Sequence, residues 1–147
     1  MTSLRHKQSG FTIIELLIVI IVIGILATLV ITTFSGVQKN NRNRTREANI
    51  KVVHSQLENY YGQIGTYPTL ANLNDPSWRS ANLKGLDEED LKDPQGDSAV
   101  LVGSPTAKSY SYSATPTGCN NKSVDCTGYV LTATREGEDP FAKNSLN

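Results

Sequence analysis

Between Phe11 and Phe34 lie 24 residues carrying a single charge, Glu15, and that run constrains what the rest of the chain can become. As a helix it is about 36 Å long, enough to cross a hydrocarbon layer of roughly 30 Å. Many of its residues are Ile and Val, whose β-branched side chains make only fair helix formers in water. In lipid that objection disappears, because every backbone group must be bonded internally and a helix does this. The reading is one transmembrane helix. A secretory signal peptide does not fit: its apolar core is about 7–15 residues, it ends at an Ala-x-Ala-like site, and an acid such as Glu15 has no place in it. A plain single-span anchor is the bland alternative. Charge placement supports it, since Lys39, Arg42, Arg44, Arg46 and Lys51 after the run outnumber Arg5 and Lys7 before it.

Beyond the run, the segment from Gln38 to Tyr61 reads as a helix in water. Ile50, Val53, Leu57, Tyr60 or Tyr61, and Ile64 recur at three- and four-residue steps and form one apolar stripe. Glu47 and Lys51 are spaced for an i,i+4 pair on another face. No Pro interrupts Phe11 through Tyr61, so both segments form one long helix, ended by Gly62, Gly65 and Pro68. From Thr66 to Gly96 turn formers dominate, among them Asp75-Pro76 and Asp93-Pro94-Gln95-Gly96, with a short helix starting near Asp87. Strand signals come last. Ser109 to Ser113 alternates cleanly, Tyr129 to Thr134 does so with β-formers, and a further strand runs near Ser98–Val102 or through Phe141. With 147 residues the chain can bury one modest core. The expected fold class is α+β: a long N-terminal helix, transmembrane then amphipathic, packed on a small antiparallel sheet.

Composition narrows the function. The formal net charge is zero, so nothing in the bulk numbers points to nucleic acid. The charges are unevenly placed, however: the basic collar Lys39, Arg42, Arg44 and Arg46 leads into an acidic stretch from Asp87 to Asp97. The collar reads as a solvated or headgroup-facing surface. Subunit–subunit pairing with distal acids, or attraction of DNA, is the sharper reading, and with no aromatics interleaved, base recognition is unsupported. Cys119 and Cys126 fit no zinc signature; an even pair beyond a membrane segment suits a disulfide, with two reduced thiols as the alternative. Catalytic signatures are lacking: there is no nucleophile elbow or phosphate loop, His6 lies ahead of the run, and His54 reads as a polar surface residue. No enzyme activity and no cofactor is expected. Asp93 and Asp97 are weak calcium candidates, and a solvated face is the plainer reading of their stretch. Asn43-Arg44-Thr45 and Asn121-Lys122-Ser123 match the glycosylation pattern, which arises often by chance.

The run's one charge then matters most. A carboxylate in the first turn of a membrane helix is costly unless partnered or protonated, and the run contains no basic residue. A cut between Gly10 and Phe11 creates a partner by freeing a positive α-amine, about 6 Å along the axis from Glu15. Ser9-Gly10-Phe11-Thr12-Ile13-Ile14-Glu15 in front of an apolar helix resembles the start of type IV pilins and pseudopilins. Tyr60 to Pro68 resembles their helix exit, and Asp93-Pro94-Gln95-Gly96, Tyr110-Ser111-Tyr112 and Tyr129 to Ala133 resemble their sheet-forming half.

The resemblance implies a ladle-shaped fold divided into a leader (1–10), a filament-core helix (11–34), its amphipathic continuation (35–65) and a globular head (66–147). It implies removal of the leader by a prepilin peptidase between Gly10 and Phe11, N-methylation of Phe11, and a role for Glu15 in assembly and register. Implied partners are copies of itself or other pilins in a helical filament, the peptidase, and an assembly platform in the membrane. The implied role is a pilus-like filament subunit for adhesion, motility or DNA uptake, membrane-held as precursor and extracellular once assembled. A pseudopilin or minor pilin of a secretion or competence system, or an anchored domain that never polymerises, are the alternatives. One departure is visible: Thr32 stands about where many bacterial pilins carry a helix-weakening Pro.

Overall fold

The computed structural model describes residues 10–147, apart from the side chain of Thr32. Arg5, His6 and Lys7, in the stretch expected to be a leader, lie outside that range. The protein is α+β, with a long helix α1 (Ile13–Ile64), short helices α2 (Leu70–Asn74) and α3 (Pro76–Asn82), and a 3-10 turn at Glu88–Leu91. Three strands follow, β1 (Ser111–Thr115), β2 (Gly128–Ala133) and β3 (Phe141–Asn144), in an antiparallel sheet of order β1-β2-β3. The chain divides into two compact units, one ending at Gln38 and the other running from Lys39 to Asn147.

In the first unit the helix continues unbroken through Gly24 and Gly36. Thr28 and Thr33 turn their hydroxyls back onto the carbonyls of Gly24 and Leu29, both at 2.9 Å, so even these polar side chains are bonded within the helix. Every described side chain from Phe11 to Gln38 is exposed, and the helix is long and apolar enough to cross a membrane.

In the second unit α1 lays Ile50, Val53 and Leu57, all fully buried, against Tyr67, Leu73, Leu91, Leu101, Tyr112, Tyr129 and Leu131. Each fully buried aliphatic or aromatic side chain removes enough apolar surface to contribute about 1.5–3 kcal/mol, and this burial holds the helix to the sheet. The stripe stops one turn early. Tyr60 and Tyr61 are half-buried, but Ile64 is 58% exposed, because the chain leaves the helix there. Gly65 adopts φ +84° and donates its N–H to the Tyr61 carbonyl at 2.7 Å, a left-handed cap that a residue with a Cβ would strain.

The segment after it contains more helix than its turn residues suggest. Thr69 and Asn72 form a capping box that starts α2. Asp75 accepts hydrogen bonds from the N–H groups of Ser77 and Trp78, with Pro76 at the first helical position, so Asp75-Pro76 opens α3 rather than a turn. The short helix near Asp87 is the 3-10 turn. In the sheet, Tyr112 pairs with Leu131 and Leu131 with Lys143, and Tyr129, Leu131 and Ala133 are buried while Val130 is exposed. The third strand runs through Phe141; near Ser98–Val102 only a single bridge forms, Val102 to Ser111.

Candidate functional site

At the start of α1 the side chains of Thr12 and Glu15 cap the helix reciprocally. The Glu15 N–H donates to Thr12 Oγ1 at 3.2 Å, while Thr12 donates both its backbone N–H and its hydroxyl to Glu15 Oε2, each at 2.9 Å. This is a capping box, with an acid at the positive end of the helix. The carboxylate that lacked a basic partner in sequence thus has two donors from one neighbour. Thr12 is the residue that sequence reasoning passed over, although the Thr-x-x-Glu spacing is the ordinary signal for it. Phe11 beside it is 86% exposed, and Gly10 precedes the helix with open space on its α-carbon.

The basic collar does not form one solvated face. Arg46 is buried, donating to Asp93 Oδ2 at 2.6 Å and Oδ1 at 3.0 Å, with both side chains only 2% exposed. The same guanidinium reaches Glu136 at 2.8 Å, Asn43 at 2.9 Å and Gln95 at 3.0 Å. Arg42 grips Glu136 through two bonds of 2.7 Å. Hydrogen bonds from Arg42, then from Arg46, hold the Glu136 carboxyl down to about 2. These contacts fix the β2–β3 turn and the loop after the 3-10 turn to α1. Of the collar, only Arg44 and Lys39 have no carboxylate partner among the described residues. Glu47 pairs not with Lys51 but with Arg135, at 2.7 Å.

The calcium candidates Asp93 and Asp97 sit in different surroundings. Asp93 has both oxygens on Arg46, and Oδ1 also accepts the Gln95 N–H at 2.8 Å, whereas Asp97 is exposed on a separate cleft. Among the described residues no group of three or more His, Cys, Asp or Glu side chains is arranged to hold a metal ion. The glycosylation-pattern asparagines are structural as well. Asn43 is buried among the Glu136 contacts, and Asn121 bridges the Cys126 N–H and the Tyr67 carbonyl, both at 2.7 Å.

Cys119 and Cys126 form a disulfide that closes the β1–β2 connection. The Tyr67 N–H donates to the Cys126 carbonyl at 2.8 Å, which ties that loop to the helix exit. Nearby, Glu58 on α1 accepts from Tyr67 and Tyr129, each at 2.8 Å, and from the Leu146 N–H at 3.3 Å. His54 is not a free surface residue. Its Nδ1 lies 2.6 Å from the Tyr129 hydroxyl, and desolvation lowers its pKa. Burial, reinforced by the bond to Glu58, raises the Tyr129 hydroxyl far above its ordinary range.

Residues 5–31 match the prokaryotic N-terminal methylation motif. Type II secretion system core protein G of Escherichia coli (strain K12) is 30% identical over 135 residues, covering 85% of this chain and 93% of that protein. Core protein G of Dickeya chrysanthemi is 32% identical over 66 residues, 45% of this chain and 43% of its own. The type IV major pilin protein PilA of Myxococcus xanthus is also 32% identical over 66 residues, 45% of this chain and 30% of its own. The alignments to those last two span less than half of each relative. No solved structure matches the chain significantly. With the motif at its start, the α+β architecture and a relative matched along nearly its whole length, the chain belongs to the superfamily of type IV pilins and type II secretion pseudopilins.

Proposed function

We propose that this chain is a core-protein-G-like structural subunit of a membrane-rooted helical filament, working as a pseudopilin rather than as an enzyme. The observation that carries the reading is the first unit itself. From Phe11 to Phe34 it presents an uncovered apolar helix whose one charge is already positioned at its N-terminal end. Lipid covers such a surface in a precursor, and the same run on neighbouring copies covers it in a filament. The Escherichia coli core protein G, similar along 85% of this chain, favours the secretion-type filament. A surface pilus serving adhesion, motility or DNA uptake is the second reading, favoured by the 66-residue match to the Myxococcus pilin. DNA attraction gains little support, because two of the collar's four cations are spent on Glu136 and Asp93.

In this scheme a prepilin peptidase cuts between Gly10 and Phe11, the Phe11 amine is methylated, and the membrane platform passes the subunit into the filament. The segments 1–10, 11–34, 35–65 and 66–147 act as leader, core helix, continuation and head. A freed amine gives a neighbour's Glu15 a cationic partner in place of the Thr12 donors, and that exchange fixes axial register. Intact mass and N-terminal sequencing of the protein from its native membrane or sheared surface fraction test the processing. A chain beginning at methylated Phe11 supports the scheme, while a chain still beginning at Met1 in cells with an active prepilin peptidase overturns it. Glu15→Ala is expected to stay in the membrane yet enter filaments poorly, and filaments of normal yield and composition would count against the register role. Recovery as a major component of sheared fibres favours the pilus over the secretion filament.

A further inference from the structure

The head buries two arginines, and they are treated in opposite ways. Arg46 is met by Asp93, Glu136, Asn43 and Gln95. Arg79, on α3, is only 7% exposed, yet its one side-chain hydrogen bond runs from Nη1 to the Leu73 carbonyl at 2.6 Å. A guanidinium has five N–H donors. Among the described residues no carboxylate comes within ion-pair distance of Arg79. A largely buried cation with a single protein acceptor depends on water or a ligand for its other donors, so a group left this way calls for an explanation.

Arg79 lines a cleft of about 310 Å³ between α3, the 3-10 turn and the segment Asp97–Val100. No fully buried side-chain nitrogen or oxygen among the described residues lacks a partner, so the uncommitted donors of Arg79 keep some exposure, and Arg79 is part of the cleft wall. Asn74 also lines it but has spent its amide on Leu101, donating to the carbonyl and accepting from the N–H, both at 2.9 Å. Lys92 adds a second cation to the wall, and the exposed acids Glu88, Glu89 and Asp97 stand around it.

From this arrangement we infer that the cleft is a carboxylate-binding site, with Arg79 as its anchor. A planar guanidinium with free donors matches a carboxylate through paired N–H···O bonds, which a backbone carbonyl alone does not supply. The surrounding acids set the second requirement. They repel a dianion and accept a ligand whose carboxylate stands alone or beside a positive group. The carboxylate comes either from a small solute or from a second copy of this chain, in which Asp125 and Asp139 are exposed and take part in no ion pair among the described residues.

The test uses the full processed chain in an uncharged maltoside detergent with 15N-labelled arginine. Acetate, glycine and succinate are titrated while the Arg79 and Arg46 side-chain signals are followed. Saturable shifts of Arg79 alone with acetate or glycine, weaker with succinate, identify a solute site. Arg79→Gln is expected to weaken that binding roughly ten-fold or more, with the Arg46 signals unchanged as the check on folding. If no solute saturates but the Arg79 signals move on assembly into filaments, and Asp125→Asn or Asp139→Asn abolishes the movement, the carboxylate belongs to a neighbouring copy. Arg79 signals that respond to neither solute nor assembly overturn the inference.

Discussion

The two halves of α1 share a backbone conformation and almost nothing else. Up to Gln38 the helix is apolar on all sides, and no described side chain is covered. From Lys39 onward it is sided, with Asn43, Arg46, Ile50, Val53 and Leu57 buried at three- and four-residue steps and polar residues between them. A helix that is hydrophobic all round is stable where its surroundings are apolar, whereas a sided helix takes its stability from the face it packs. Substitutions in the first half should therefore register in membrane insertion and assembly, and substitutions in the second half in folding.

The largest effect expected to expose this contrast is at Arg46. Arg46→Ala strands Asp93 as a buried charge and should cost about 3–5 kcal/mol in denaturant unfolding of the head. Replacing both partners by apolar residues of similar size should recover most of that loss, because no charge is then left alone. Next comes the core stripe. Leu57→Ala, at a fully buried position, should cost about 2–5 kcal/mol, while Leu17→Ala in the exposed apolar half leaves the unfolding midpoint of the head unchanged. A comparable shift from Leu17→Ala would break the comparison.

Opening the disulfide by Cys119→Ser with Cys126→Ser should cost about 2–3 kcal/mol, the chain-entropy value for so short a loop. A pH series sharpens the picture further. The folded Glu136 carboxyl lies at about 2 against an ordinary 4.5, so its contribution is complete above pH 4.5 and is lost as pH falls toward 2. The stability gap between the native chain and Glu136→Gln should narrow over that window. The smallest effect is at the other end of the helix, where Thr12→Ala should speed amide exchange in the first turn by roughly five-fold and leave the head untouched.

What the sequence disclosed was what depends on local pattern. The apolar run, the stripe of Ile50, Val53 and Leu57, and the alternation that became β2 could be read because periodicity alone fixes which side is covered. Asp75-Pro76 misled, because the same dipeptide that marks a turn also caps a helix and occupies its first position. The collar misled for a different reason. The acids that claim Arg42 and Arg46 lie 94 and 47 residues away, and no local rule links them. Lys51 points its ammonium at the Phe141 ring, 5.6 Å from the centroid, rather than at Glu47, again through a partner on a distant strand. At the N-terminal site Glu15 stood out because a lone acid in an apolar run is conspicuous. Thr12 did not, since it is one of several uncharged threonines in the run and nothing but its spacing to Glu15 marks it.

The Thr12–Glu15 cap bears on how faithfully copies are ordered. A subunit that has not found its place still has its acid satisfied by its own first turn, so an out-of-step encounter strands no bare charge and can separate again. In the proposed filament a correct neighbour must offer Glu15 more than the donors it gives up. Under that proposal the intramolecular bond would work as a threshold against which each placement competes, and error correction would follow from the first turn of the helix.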